Sequence, residues 1–113
     1  MSFSLLRLAA AGALSFALAG MAHAEDLQSY AITLKDHKYT PSEIHVASGK
    51  PFYVVVTNAS DAADEFEMLF PPLEQGLQPG ETRKVLVRPL KVGRFPYMGE
   101  NDPDGERGFF ISQ

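Results

Sequence analysis

Two glutamates, Glu65 and Glu67, stand two positions apart near the middle of this chain, with Met68 directly after them. In an extended backbone both carboxylates project to the same side. Carboxylates held that close repel unless they share a proton or a cation. The plainer reading is two solvated glutamates on the open face of a sheet. A second acidic run, Glu100-Asn101-Asp102-Pro103-Asp104-Gly105-Glu106, follows Met98. Oxygen ligands of this kind suit hard cations, whereas the thioether of Met98 suits copper(I). The two acidic segments make one site only if the fold brings them together.

The acidic run contains D-x-D-G, part of a calcium loop. With Gly105 as the sixth position, the first is Glu100 and the twelfth is Ile111, so the bidentate glutamate is missing. No helices flank the run, which excludes an EF-hand; Pro103-Asp104-Gly105 also reads as an ordinary type I turn. Met68 is in phase with Phe66 and Phe70 and is expected to fill the core with them. His45 alternates with Ile44 and Val46 and is expected to face water, while His37 sits in a turn before Pro41. No nucleophile–base pair emerges. The chain has no cysteine, Ser42, Ser48 and Ser60 lie in turn contexts, and neither histidine has a partner by spacing. Asn58-Ala59-Ser60 matches a glycosylation sequon, a three-residue match of little weight.

The elements that position these residues read as strands. Turn signals recur every eight to twelve residues, the spacing of an all-β sandwich or barrel. Strands are expected over residues 30–34, 42–46, 52–57, 65–70, 81–87, 93–98 and 109–111. That is about seven, with period-two apolar patterning and no convincing helix. Two such sheets pack face to face.

Residues 1–24 are expected to be an export leader. Arg7 supplies the positive start, an apolar stretch runs from Leu8 to about Met21, and Ala22-His23-Ala24 is a small-residue cleavage signature. A retained anchor is the other reading, but the stretch is short of the roughly 20 apolar residues a bilayer span needs. One domain, residues 25–113, remains. Many small exported domains rely on disulfides; this chain cannot form one, so its core must carry stability. The whole chain has 10 basic and 14 acidic residues. Removing the leader takes away only Arg7, so the domain becomes still more acidic. That excess argues against nucleic acid, whose phosphates require a basic face, and is compatible with cationic ligands.

Longer motifs carry a resemblance. Asp36-His37-Lys38-Tyr39-Thr40-Pro41, Ile44-His45-Val46 and Gly49-Lys50-Pro51-Phe52 resemble the opening of cupredoxin-like domains. Val56-Thr57-Asn58 followed by Asp64-Glu65-Phe66-Glu67, and Gly93-Arg94-Phe95-Pro96-Tyr97-Met98-Gly99-Glu100, are similar to the periplasmic cupredoxin-like proteins of bacterial ferrous-iron uptake, the Ftr/Efe type. The resemblance implies a Greek-key β-sandwich with a metal region at one end. In blue-copper relatives a histidine begins that region, and here Glu65 takes its place. The later cysteine falls near Met98 or Gly99 and the second histidine near Asp102. A type 1 blue-copper site needs a thiolate with two imidazoles, so this chain cannot build one.

The ligands expected from the resemblance are Glu65, Glu67, Glu100 and Asp102, with His37 as the imidazole and Met98 as the soft donor. The metal is iron or copper. The implied role is ferrous-iron oxidation or electron transfer in the periplasm, beside a membrane iron permease and a redox partner, with a homodimer as the expected assembly. Two rivals stay open: an adaptor without metal that docks on a permease, and a copper storage or delivery protein.

Overall fold

The computed structural model describes residues 27–113; the leader expected over residues 1–24 lies outside them. Nine strands form two sheets: β1 (Ser29–Lys35), β2 (Lys38–Thr40), β3 (Glu43–Val46), β4 (Phe52–Asn58), β5 (Asp64–Met68), β6 (Leu73–Leu77), β7 (Thr82–Val87), β8 (Gly93–Met98) and β9 (Arg107–Ser112). One sheet has the order β2-β1-β4-β7 and the other β3-β9-β8-β5-β6. The all-β sandwich is as expected, with two strands more than the sequence announced. β2 is three residues long and ends against Pro41. β6 reads Leu-Glu-Gln-Gly-Leu, which has no β-branched or aromatic residue to mark a strand. It forms by pairing with β5 along its whole length.

One expectation about β5 needs correcting. Phe66 and Met68 do face the core, but Phe70 does not: the strand stops at Met68 and Phe70 is 71% exposed in the following turn. Pro71 and Pro72 have no N–H to donate to a ladder, so the chain must reverse before them.

The two sheets enclose a core containing Ile32, Leu34, Val54, Val56, Leu77 and a file of aromatic rings. Tyr39 and Phe66 each lie 5.5 Å from Tyr97, measured between ring centroids; Tyr97 lies 4.8 Å from Phe110, and Phe110 lies 5.1 Å from Phe52. Buried tyrosines need partners for their hydroxyls, and both have one. Tyr39 donates to the Glu65 carbonyl at 2.9 Å and Tyr97 to the Pro41 carbonyl at 2.7 Å. Tyr97 passes directly over Gly108, where a Cβ would overlap the ring.

Strand directions give the sandwich two unlike ends. At one end meet the β1–β2 turn, the β4–β5 loop and the long β8–β9 loop, the last of which carries the whole acidic run. At the other meet residues 47–51, 69–72 and 88–92. There Gly49 N–H donates to the Leu90 carbonyl at 2.9 Å and Ser48 N–H to the Gln113 carbonyl at 3.1 Å.

Candidate functional site

Alternation along β5 sends Asp64, Phe66 and Met68 inward and Glu65 and Glu67 outward. Glu67 stands opposite Glu74 of β6 on one side and Met98 of β8 on the other. Directly paired residues share a face, so all three side chains lie on the outer surface of the five-stranded sheet. Glu65, Glu67 and Glu74 each bring one carboxylate oxygen within 4.8 Å of the others. Glu100, just past β8, joins them through a hydrogen bond between its side chain and that of Glu65; Glu67 and Glu74 are bonded likewise. Met98 is only 9% exposed beside Glu67.

The electrostatics of the patch follow from crowding. Partial burial first, then the charges of Glu100 and Glu74, push the Glu65 carboxyl above its ordinary value. Partial burial first, then the charges of Glu65 and Glu74, do the same to Glu67. A cation among these oxygens would relieve the same crowding. Glu74 was not anticipated, because its strand is invisible in the sequence and its partner is set only by register.

A second cluster closes the acidic end of the sandwich. Asp64 and Glu106 are 6% and 1% exposed and hydrogen-bonded to one another. Asp64 Oδ1 also accepts from the backbone N–H of Glu65 at 2.7 Å and of Glu100 at 2.8 Å. Burial works against the Asp64 charge, but the bond from Glu106 and these N–H donors outweigh it and hold its carboxyl below the usual range. Burial and the bond to Asp64 push Glu106 up. The two carboxyls are pushed in opposite directions and titrate together. His37 Nδ1 lies 2.9 Å from Glu106 Oε2, and this bond raises the His37 pKa. Both residues of the β1–β2 turn, Asp36 and His37, have positive φ, at 52° and 56°, the geometry of a tight hairpin turn. Gly99 is required here, since a Cβ would overlap the Glu106 carboxyl. The cluster floors a cavity of about 360 Å³ that also touches Asp61 and Asn101.

The six expected ligands are thus divided. Glu65, Glu67, Met98 and Glu100 gather on the outer face of β5 and β8, while His37 and Asp102 belong to the end of the sandwich. Asp102 Oδ1 accepts from Gly105 N–H at 3.3 Å, and Asp102 N–H donates to Glu106 Oε1 at 3.3 Å, so Asp102 shapes its own loop. The residue that starts β5 and faces inward is Asp64, not Glu65; the alternation of the strand decides this. Sequence reasoning missed Asp64 and Glu106, whose burial depends on the β8–β9 loop folding back onto β5. His45 faces water as expected, 3.3 Å from Glu43. Asn58 is fully buried, donating to the Ala62 and Leu77 carbonyls, so the sequon is a structural asparagine. A blue-copper centre does not fit: no thiolate exists, and hydrogen bonds among Asp64, Glu106 and His37 take up the end of the sandwich.

A two-sheet sandwich of this topology is the frame of a cupredoxin-like domain. The family model described as Cupredoxin-like domain matches residues 8–111, and the chain belongs to that family. An uncharacterized protein of Rickettsia prowazekii (strain Madrid E) is 32% identical over 80 residues; the match covers 71% of this chain and 64% of that protein. Among solved structures, the metal-binding domain of the Streptococcus pneumoniae D39 Cu(I)-exporting P-type ATPase CopA superposes with a TM-score of 0.71 at 15% identity. That match covers 79% of this chain and 88% of the other. Auracyanin A, a blue copper protein from Chloroflexus aurantiacus, gives 0.66 at 12% identity, over 75% and 98%. The periplasmic domain of cytochrome oxidase subunit II from Bradyrhizobium japonicum gives 0.64 at 16% identity, over 78% and 84%. At such identities the likeness is one of fold, a fold shared with copper-binding proteins.

Proposed function

We propose that this chain is an exported metal-binding domain that takes ferrous iron on the outer face of its five-stranded sheet, in the service of iron uptake. The observation that carries this reading is the convergence of Glu65, Glu67, Glu74 and Glu100 on one face, with Glu65 and Glu67 half-buried and their carboxyls pushed up by the crowding. A divalent cation among these carboxylates relieves the repulsion and meets an all-oxygen donor set. Carboxylates stabilise the more highly charged ferric ion over the ferrous one, so iron held here is easier to oxidise. The chain has no thiolate for a type 1 copper centre that would take that electron, so the acceptor is a separate redox partner. A membrane iron permease is the destination of the cation. The resemblance of the E-F-E and Gly99-Glu100 segments to ferrous-iron uptake proteins supports this assignment.

Anaerobic calorimetric titration with iron(II) tests the reading. Stoichiometric binding is expected, weakened at least tenfold in Glu67→Gln/Glu74→Gln and weakening as pH falls and protons return to the carboxylates. No iron(II) binding, or binding indifferent to those substitutions, would sink it. Copper(I) storage has one observation in its favour, the Met98 thioether beside Glu67. Copper(I) binding that Met98→Leu abolishes, without iron(II) binding, would establish that reading instead.

A further inference from the structure

The end of the sandwich opposite the acidic loops carries a different chemistry. All four large apolar side chains that stand exposed among the described residues lie there: Leu69 at 55%, Phe70 at 71%, Leu86 at 49% and Val92 at 75%. Pro71, Pro72, Leu86 and Arg88 line a groove of about 500 Å³ between the β5–β6 turn and the end of β7. The three segments that build this end, residues 47–51, 69–72 and 88–92, contain Lys50, Arg88 and Lys91 and no aspartate or glutamate. All three cations are exposed, and none pairs with a carboxylate among the described residues.

Scattered single apolar residues on a surface mean little, but a group confined to one end is an interaction signal. The charge is as informative. In a chain with a net charge of −4, one end combines three unpaired cations with four exposed apolar side chains. Phosphate headgroups over acyl chains present the complementary pattern, with anions at the surface and hydrocarbon below. The backbone agrees: the chain enters the fold at this end, with Leu27 beside Lys50 and Pro51.

We propose that this end docks on an anionic phospholipid surface, with Phe70, Leu69 and Val92 entering the headgroup boundary and Lys50, Arg88 and Lys91 meeting phosphates. The acidic end, built by the β1–β2, β4–β5 and β8–β9 connections, then stays in the aqueous phase.

Residues 27–113 make both sheets and all of the described core, so a protein of residues 25–113, free of the apolar leader, is the test object. It is sedimented with vesicles of phosphatidylglycerol and, separately, of phosphatidylcholine. Binding to phosphatidylglycerol is expected, reversed by high salt and weaker on phosphatidylcholine. Each of Lys50→Gln, Arg88→Gln and Lys91→Gln lowers partitioning roughly fivefold, and Phe70→Ser lowers it as well. These positions are exposed, and an unchanged melting temperature certifies each variant. No binding to phosphatidylglycerol, or binding that the triple Gln variant and Phe70→Ser retain, overturns the proposal. So does a dimer in light scattering that Phe70→Ser dissociates while vesicles are ignored, which assigns this end to a second copy.

Discussion

At the scale of the residue, Glu106 is the most buried carboxyl group among the described residues. Its carboxyl is almost wholly removed from water, faces the Asp64 carboxylate and holds its proton more tightly than an ordinary glutamate. The sign of the linkage follows. A raised folded-state pKa contributes stability that is complete below the unfolded value and is lost as pH rises through the folded value. Asp64 acts the opposite way: its lowered pKa contributes above the unfolded value and is lost as pH falls through the folded one. Glu106→Gln keeps a donor toward Asp64 and removes the titration. Melting curves taken from the ordinary carboxylate range up to neutrality should therefore fall less steeply in this variant than in the parent; an unchanged slope would remove this account. Gly99 belongs to the same device, since only a residue without a side chain lets the Glu106 carboxyl lie against that backbone.

Among the elements, the β5–β6 hairpin matters most, because it turns a two-residue motif into a four-carboxylate face. Period-two alternation puts Glu65 and Glu67 outward, register adds Glu74 opposite Glu67, and the end of β8 adds Glu100. Like charges directly opposite on a sheet destabilise it. Without metal, Glu67→Gln should therefore raise the melting temperature at neutral pH by about 1–4 °C. In acid the gain should vanish, because Glu65 and Glu67, with raised pKa values, are then protonated in the parent too. A lower melting temperature for Glu67→Gln at neutral pH would show that the cluster is not under repulsion. The same substitution should reduce any stabilisation by added iron(II), since a ligand that binds only the folded state stabilises in proportion to its occupancy.

As a whole molecule, this is a small sandwich stabilised by its core, with no disulfide available. Phe66 is fully buried in the aromatic file, against Tyr39 and Tyr97. Phe66→Ala should cost about 3–5 kcal/mol, a large share of the roughly 5–15 kcal/mol available to a domain. A calorimetric melt lowered by less than about 5 °C would mean that the core collapses around the cavity. What the chain could reveal without its fold was whatever depends on local period and composition. Alternation announced the β-sandwich, the absence of cysteine excluded a thiolate copper centre, and Glu65 and Glu67 could be placed on one outer face because neighbours two apart on a strand share a side. What it could not reveal was everything set by register and by loops folding back. β2 is too short, and β6 carries too little β-forming character, to be seen alone, so Glu74 had no visible partner. Asp64 and Glu106 are 42 positions apart and meet only because the β8–β9 loop closes over the start of β5. The gathering of Phe70, Leu86, Val92, Lys50, Arg88 and Lys91 at one end is likewise a product of strand direction. Contacts between residues distant in sequence depend on the free energy of the whole packed sandwich, and no local pattern encodes them.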